Sequence, residues 1–371
     1  MLLRRSSPRA TAVFVLLGLS ACREAPRDAA LAEVDSIRYA EGFRLLTEGG
    51  VRVAEIVLPG QARARFVLVP HGQMPPAGVV GTIVHVPVRR LVALSTTHLG
   101  LLARIGAAEA ITGVAGRGWI NTPAVRAGLD AGRIADVGEP GVINVEAIAA
   151  ARPEVVFAEE TGETARKLAP LGVPVIPLAE YLEPHPLGRA EWMRFVAALT
   201  GHDAAAKTAF DSTAARYERL RDRIAATSAR FKVLVNTPFQ GTWWVPGGRN
   251  YLAAFLRDAG AEYPWAADTG RASLSLSLED VLSRAQDAPV WLNVPVSTRA
   301  DLVAMDRRLA LFTAYRSGQV YTHAARMSPG GGYDYFETGL VEPDVILADL
   351  VSILRPGFAP DRALVYYRKV E

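Results

Sequence analysis

Ile143-Asn144-Val145-Glu146-Ala147-Ile148 leads through an alanine-rich turn and Pro153 into the apolar run Val155-Val156-Phe157. The phrase has a second copy further on. Leu276-Ser277-Leu278-Glu279-Asp280-Val281 leads through Ser283-Arg284-Ala285 into Pro289-Val290-Trp291-Leu292. A repeated sequence of glutamate, short helix and apolar strand implies two similar α/β halves, each presenting one carboxylate in the same place.

The text around the copies supports this. Arg90-Leu91-Val92-Ala93-Leu94 reads as a buried strand, Ser95-Thr96-Thr97 as a helix cap, and Leu99 to Ile105 as the helix that follows. Ala110 to Ala115, Val155 to Ala158 and Val173 to Pro177 add short strands with helical text between them, the alternation of a parallel, helix-covered sheet. Phe231 to Val235 opens the second half, which repeats the pattern to about Leu354, and Leu364 to Tyr367 reads as a closing strand. Between the halves, Leu187 to Ser228 is proline-free helical text interrupted by one pair, Gly201-His202.

Before the first half, residues 39–87 change character. Phe43 to Leu46, Arg52 to Leu58, Arg65 to Val69 and Thr82 to Val86 alternate in polarity and are punctuated by glycine and proline, as strands and turns are. Further upstream, Arg4, Arg5 and Arg9 precede an apolar stretch, Thr11 to Leu19, too short to span a bilayer but suited to a secretory signal. Cys22, the one cysteine of the chain, follows Leu19-Ser20-Ala21.

With 371 residues the chain exceeds a single ordinary core. The expected organisation is a signal peptide at 1–21, a tether at 22–38, a β-rich segment at 39–87, an α/β lobe at 88–187, a linking helix at 188–228 and a second α/β lobe at 229–371. Formal net charge is +3 with scattered basic residues, which argues against nucleic acid as a partner.

Leu19-Ser20-Ala21-Cys22 resembles a bacterial lipobox, which implies lipidation of Cys22. Together with two α/β lobes and a helical link, the chain resembles the substrate-binding proteins of ABC importers, specifically the cobalamin and iron-siderophore class. Further phrases carry the likeness: Leu91 to Ser95 with Leu101 to Gly106, Asn144 to Ile148 with Arg152 to Val156, and Leu171 to Val175. The resemblance implies an α/β fold of two Rossmann-like lobes joined by a long helix, with residues 39–87 as a small β-rich addition. It implies a non-enzymatic, monomeric protein of the periplasm, lipid-anchored to a bacterial membrane. Such a protein delivers a small-molecule metal chelate to an ABC permease in the inner membrane, and carries no cofactor and no metal site of its own. Glu146 and Glu279 match the two glutamates by which the family engages its permease. The bland reading of each is a carboxylate favoured at a helix N-terminus.

Ligands of open α/β sheets bind beyond the carboxyl ends of the strands. The loops there supply the ligand candidates Thr96, Thr97, Arg117, Trp119, Glu139 and Glu160 in the first lobe, and Trp243, Trp244, Tyr251, Arg271, Tyr333 and Tyr335 in the second. Flat aromatic faces suit macrocycles and planar chelates. Adjacent strand residues point oppositely, so one of Trp243 and Trp244 could be core while the other faces the cleft. Tyr333 and Tyr335 share a parity and could line one wall. Arg117, Arg249, Arg271 and Arg326 could pair with an anionic chelate, whereas Glu139, Glu159, Glu160, Asp334 and Glu337 make the wall mixed.

Three alternatives carry less of the sequence. A zinc or manganese receptor would use His98, His185 and His323, but no local ligand spacing joins them. An enzyme would use Ser95 or Ser328 with His98 or His323, but no nucleophile-elbow pattern surrounds either serine. A lipid-anchored capture protein without permease docking shares the ligand class, and Arg23 after Cys22 does not impose inner-membrane retention.

Overall fold

The computed structural model describes residues 32–33, 36–57, 63–159, 162–358 and 362–371, with the backbone alone described at 32–33. The signal segment, Cys22 and most of the tether lie outside the described residues.

The β-rich addition is a five-stranded sheet in chain order: β1 (Ala32–Glu33), β2 (Phe43–Glu48), β3 (Val51–Ile56), β4 (Ala64–Pro70) and β5 (Thr82–Val86). Its first four strands are antiparallel neighbours, and β5 runs parallel to β4. The sheet starts earlier than the expected boundary at 39, because β1 falls within the stretch read as tether. The chain at 38–42 is fixed as well. The Glu191 carboxylate accepts the N–H groups of Arg38, Tyr39 and Ala40, and the Glu183 carboxylate those of Glu41 and Gly42. Two buried carboxylates thus satisfy backbone donors that no strand partner reaches.

The first lobe contains β6 (Leu91–Ala93), α1 (Thr96–Arg104), β7 (Ile111–Val114), α2 (Pro123–Asp130), β8 (Ala135–Asp136), β9 (Gly138–Glu139), β10 (Val142–Ile143), α3 (Val145–Ala151), β11 (Val155–Ala158), α4 (Gly162–Leu168) and β12 (Val175–Pro177). Its sheet has the parallel order β12-β11-β6-β7-β8. All residues of β6 and β11 are buried, as strands covered on both faces must be.

The link is two helices rather than one. α5 (Pro186–Thr200) and α6 (Asp203–Ala225) meet at Gly201, which ends α5 in a left-handed conformation with φ 76°. Glycine reaches that conformation without a Cβ penalty, so the Gly201-His202 interruption is a helix stop. α5 is buried nearly all round and forms the spine on which both lobes and the added sheet pack.

The second lobe comprises β13 (Phe231–Val235), β14 (Pro238–Phe239), β15 (Thr242–Pro246), α7 (Tyr251–Asp258), β16 (Ala261–Glu262), β17 (Ser273–Leu276), α8 (Leu278–Ala285), β18 (Val290–Leu292), α9 (Arg299–Met305), α10 (Thr313–Arg316), β19 (Tyr321–Thr322), α11 (Asp334–Val341), α12 (Pro343–Leu354) and β20 (Arg368–Lys369). The sheet order β16-β13-β18 repeats β7-β6-β11 of the first lobe. In each lobe the opening strand lies between the second strand and the strand that follows the glutamate helix. α3 and α8 are therefore topological equivalents, and the repeated phrase marks a repeated fold.

The closing strand falls at 368–369, where β20 pairs with β19, and not at Leu364 to Tyr367. The N–H groups of Val365, Tyr366 and Tyr367 turn instead to the buried carboxylate of Asp349. No strand ladder is available to them there.

Candidate functional site

The loop after β7 meets the loop after β19 where the lobes face each other, and within the first lobe the loops after β6 and β11 are hydrogen-bonded together. Ser95 precedes α1 at the cap position, but its side chain makes no cap bond. Its Oγ donates to Glu159 Oε1 at 2.8 Å and lies 3.1 Å from Thr97 Oγ1. Thr96 and Thr97, half-buried, sit beside it at the helix start.

Beneath them is a polar floor that the sequence did not advertise. Glu180 is fully buried, and burial pushes its carboxyl up to about 7 against the opposing influence of Arg189 and Thr97. The Arg189 guanidinium lies 4.2 Å from the ring centroid of Tyr251, at the start of α7. Tyr335 is also buried, 5.8 Å from Tyr367 ring to ring, and Tyr367 donates to Asn293 Oδ1 at 2.7 Å. This cluster joins the first lobe, α5 and the second lobe. No pattern of spacing could have joined residues so far apart in the chain.

One wall is a direct contact between lobes. Arg117 to Trp119 form a single 3-10 turn, and Ser328 donates to the Gly118 carbonyl at 2.6 Å. Gly330 and Gly332 bring their backbones against Gly118 and Trp119 so closely that a Cβ at either would overlap main-chain atoms. Trp119 is about half exposed there. Tyr333, across this contact, stacks on Phe336 at 6.2 Å and meets His323 edge-on at 5.0 Å.

The candidate residues thus fall into different surroundings. Trp243 is 0% exposed, donates Nε1–H to the Val235 carbonyl at 2.9 Å, and packs on Trp291 and Phe312. That makes it core, whereas Trp244 is 45% exposed. Strand alternation allowed one of each, and the ligand role expected of Trp243 is corrected by its burial. Tyr335 does not share a wall with Tyr333, because α11 begins between them and turns Tyr335 inward. Arg117 pairs with Asp130 at 2.8 Å, and both line a cavity of about 380 Å³ with Glu139. Arg271 pairs with Glu41 of the added segment, beside a cavity of about 170 Å³ that Glu183 also lines. Arg326 pairs with Asp334 at 2.7 Å. Glu160 and Cys22 lie outside the described residues.

The histidines do not converge. His98 is fully buried in α1, and burial holds its imidazole down at about 3. His185 caps α5, accepting from Leu187 N–H at Nδ1, with Asp258 3.6 Å from Nε2. His323 sits among Tyr333, Tyr335 and Phe336. Among the described residues no group of three His, Cys, Asp or Glu is placed to hold a metal ion.

Glu146 and Glu279 are exposed in the first turns of α3 and α8. α3 begins beside the end of β8, with Asn144 N–H donating to the Val137 carbonyl, so Glu146 stands at the carboxyl end of the first-lobe sheet, whereas α8 follows β17 of the antiparallel sheet β14-β15-β17. Glu279 is engaged by Arg308 at 2.7 Å.

The sequence profile of the periplasmic binding protein family matches residues 91–327. The chain belongs to that family. A Pseudomonas aeruginosa periplasmic haem-binding protein of known structure is similar over 76% of this chain and 98% of its own, with a TM-score of 0.58 and 19% identity. An iron(III)-hydroxamate transport protein of Saccharomonospora viridis matches 72% of this chain and 94% of its own, at 0.55 and 17%. A molybdate-bound protein of Haemophilus influenzae matches 75% and 89%, at 0.56 and 21%. Among curated relatives, an uncharacterized lipoprotein of Methanocaldococcus jannaschii is 27% identical over 91% of this chain and 88% of its own length. The chain is thus a periplasmic binding protein by family, and shares with these structures a fold of two lobes. Among the described residues no helix is long and apolar enough to cross a membrane.

Proposed function

We propose that this protein, lipid-anchored through Cys22, captures a metal chelate of the iron-siderophore or cobalamin kind in the interlobe cleft. It passes the chelate to an inner-membrane permease that reads Glu146 and Glu279. Two carboxylates on a rigid body suit a two-fold partner, where complementary charge fixes register and encounter rate.

The ligand class rests on one observation. Of the four cleft arginines, Arg117, Arg271 and Arg326 are already held by Asp130, Glu41 and Asp334, while the aromatic faces of Trp119 and Trp244 are open. Such a wall favours a large, partly flat, neutral or zwitterionic ligand over a small oxyanion, which calls for converging unpaired donors. The similar structures take haem, an iron hydroxamate and molybdate, and the aromatic wall sides with the first two.

Native mass spectrometry and absorbance after mixing with cobalamin, haem, ferric siderophores, molybdate and zinc decide the matter. Binding of a chelate is expected. Binding of zinc or molybdate alone overturns the reading. The Glu279–Arg308 pair favours a second reading, chelate capture without docking, which uptake assays of the glutamate variants separate from the first.

A further inference from the structure

The added sheet β1–β5 precedes the family match at residue 91, and the chain between β1 and β2 supplies Glu41 to Arg271. One end of it gathers several features. The β2–β3 hairpin turns at Gly49-Gly50, and the loop 71–81, after β4, folds over that turn: a Cβ at Gly49 would lie 2.8 Å from Val79 and 3.3 Å from Pro76. β1 pairs Ala32 with Thr47 and Glu33 with Leu46, so the chain joins the sheet at this same end. In the loop Met74 is 87% exposed and Val80 71%. From Ile56 to Ala108 the sequence contains no acidic residue, so no carboxylate within the loop opposes an anionic surface.

The ten-residue step from Cys22 to Ala32 spans at most about 36 Å even when fully extended. A lipid on Cys22 therefore holds this end of the sheet close to its bilayer. We propose that the 71–81 loop rests in the interface of the anchoring membrane, with Met74 and Val80 entering the headgroup region. This rests on the reading of Cys22 as the lipid anchor. Orientation follows from the fold. Val88 N–H donates to the Leu199 carbonyl at 2.8 Å and Pro87 packs by Gly201, so the loop lies at the amino ends of the first-lobe strands. The first-lobe cleft loops and Glu146 lie at the carboxyl ends. A molecule resting on this loop turns them away from the anchoring membrane, towards the aqueous space from which ligand arrives.

The test uses the full-length protein, isolated from membranes and reconstituted into phosphatidylcholine and phosphatidylglycerol vesicles containing a phospholipid with a photoactivatable acyl chain. Crosslinks are expected on the peptide carrying Met74 and Val80. Met74→Ser with Val80→Ser lowers their yield at least about fivefold while flotation with vesicles is unchanged, because the anchor still holds the chain. Both sites are exposed, so the double variant folds as the parent does. A chain that floats without crosslinks on 71–81, or whose crosslinks ignore the double substitution, overturns the proposal and leaves the anchor standing. A chain that does not float overturns the anchor reading, and this proposal with it.

Discussion

The carboxylate of Glu337, on α11 of the second lobe, accepts the backbone N–H groups of Asn121 and Thr122 in the first lobe, each at 2.7 Å. The Thr122 hydroxyl donates to it as well. Gly100 of α1 lies against the Glu337 carbonyl, where any Cβ would overlap it. The lobes are thus joined by a buried carboxylate as well as by the α5 spine, which limits how far they can part.

Glu337→Ala leaves two backbone donors without a partner, at a cost of about 3 kcal/mol. Urea unfolding is expected to show that loss, and small-angle scattering a wider lobe separation. A change under about 0.5 kcal/mol would mean that water replaces the carboxylate without penalty.

The two adjacent tryptophans are expected to behave oppositely. Trp243→Ala removes a core ring stacked 5.7 Å from Trp291 and should cost roughly 4 kcal/mol of stability. Trp244→Ala should leave the unfolding midpoint nearly unchanged and weaken chelate binding about tenfold. Titration of both variants by intrinsic fluorescence checks this. Equal binding by Trp244→Ala and the parent removes Trp244 from the ligand wall.

Glu146→Ala combined with Glu279→Ala should abolish chelate uptake by cells while ligand affinity stays within about twofold of the parent. Arg308→Ala, which frees Glu279, should keep uptake or raise it. Lost affinity in the double glutamate variant would assign those carboxylates to the cleft or the fold.

Buried groups contribute to the pH dependence in opposite senses, His98 and His323 in one, Glu180 in the other. Among the described residues His98 has no hydrogen-bond partner on either ring nitrogen, and burial lowers it from 6.5 to about 3. The unfolded chain takes up this proton first, so the stability His98 contributes is present above 6.5 and is lost as pH falls towards 3. Glu180 acts in the reverse sense. Raised from 4.5 to about 7, it destabilises the fold as pH rises through that window. His98→Leu should therefore make the acid limb of a thermal-melt profile shallower, with the contribution of His323 remaining. Glu180→Gln should raise the melting temperature at pH 8 and change it little at pH 4. A Glu180→Gln chain less stable than the parent at pH 8 would show the charged carboxylate to be favourably held.

What depends on neighbours along the chain was legible in the residues alone. Val155 to Ala158 and Phe231 to Val235 are strands within the limits read from their apolar runs, and Gly201-His202 stops a helix where the text said it was interrupted. The two glutamate phrases marked equivalent helices because duplication leaves its trace in order and spacing. Tertiary structure decided what depends on contacts between distant segments. Alternation could place Trp243 and Trp244 on opposite faces, but only the packing of Trp291 and Phe312 made Trp243 the core member. Glu180, Arg189 and Tyr251 meet at the cleft floor, and Glu183 and Glu191 hold the backbone of residues 38–42, because α5 and the turn before it pass between the lobes. Each of those polar groups is tolerable in the interior only beside a partner from another element, and burial has no signature in a residue's own neighbours.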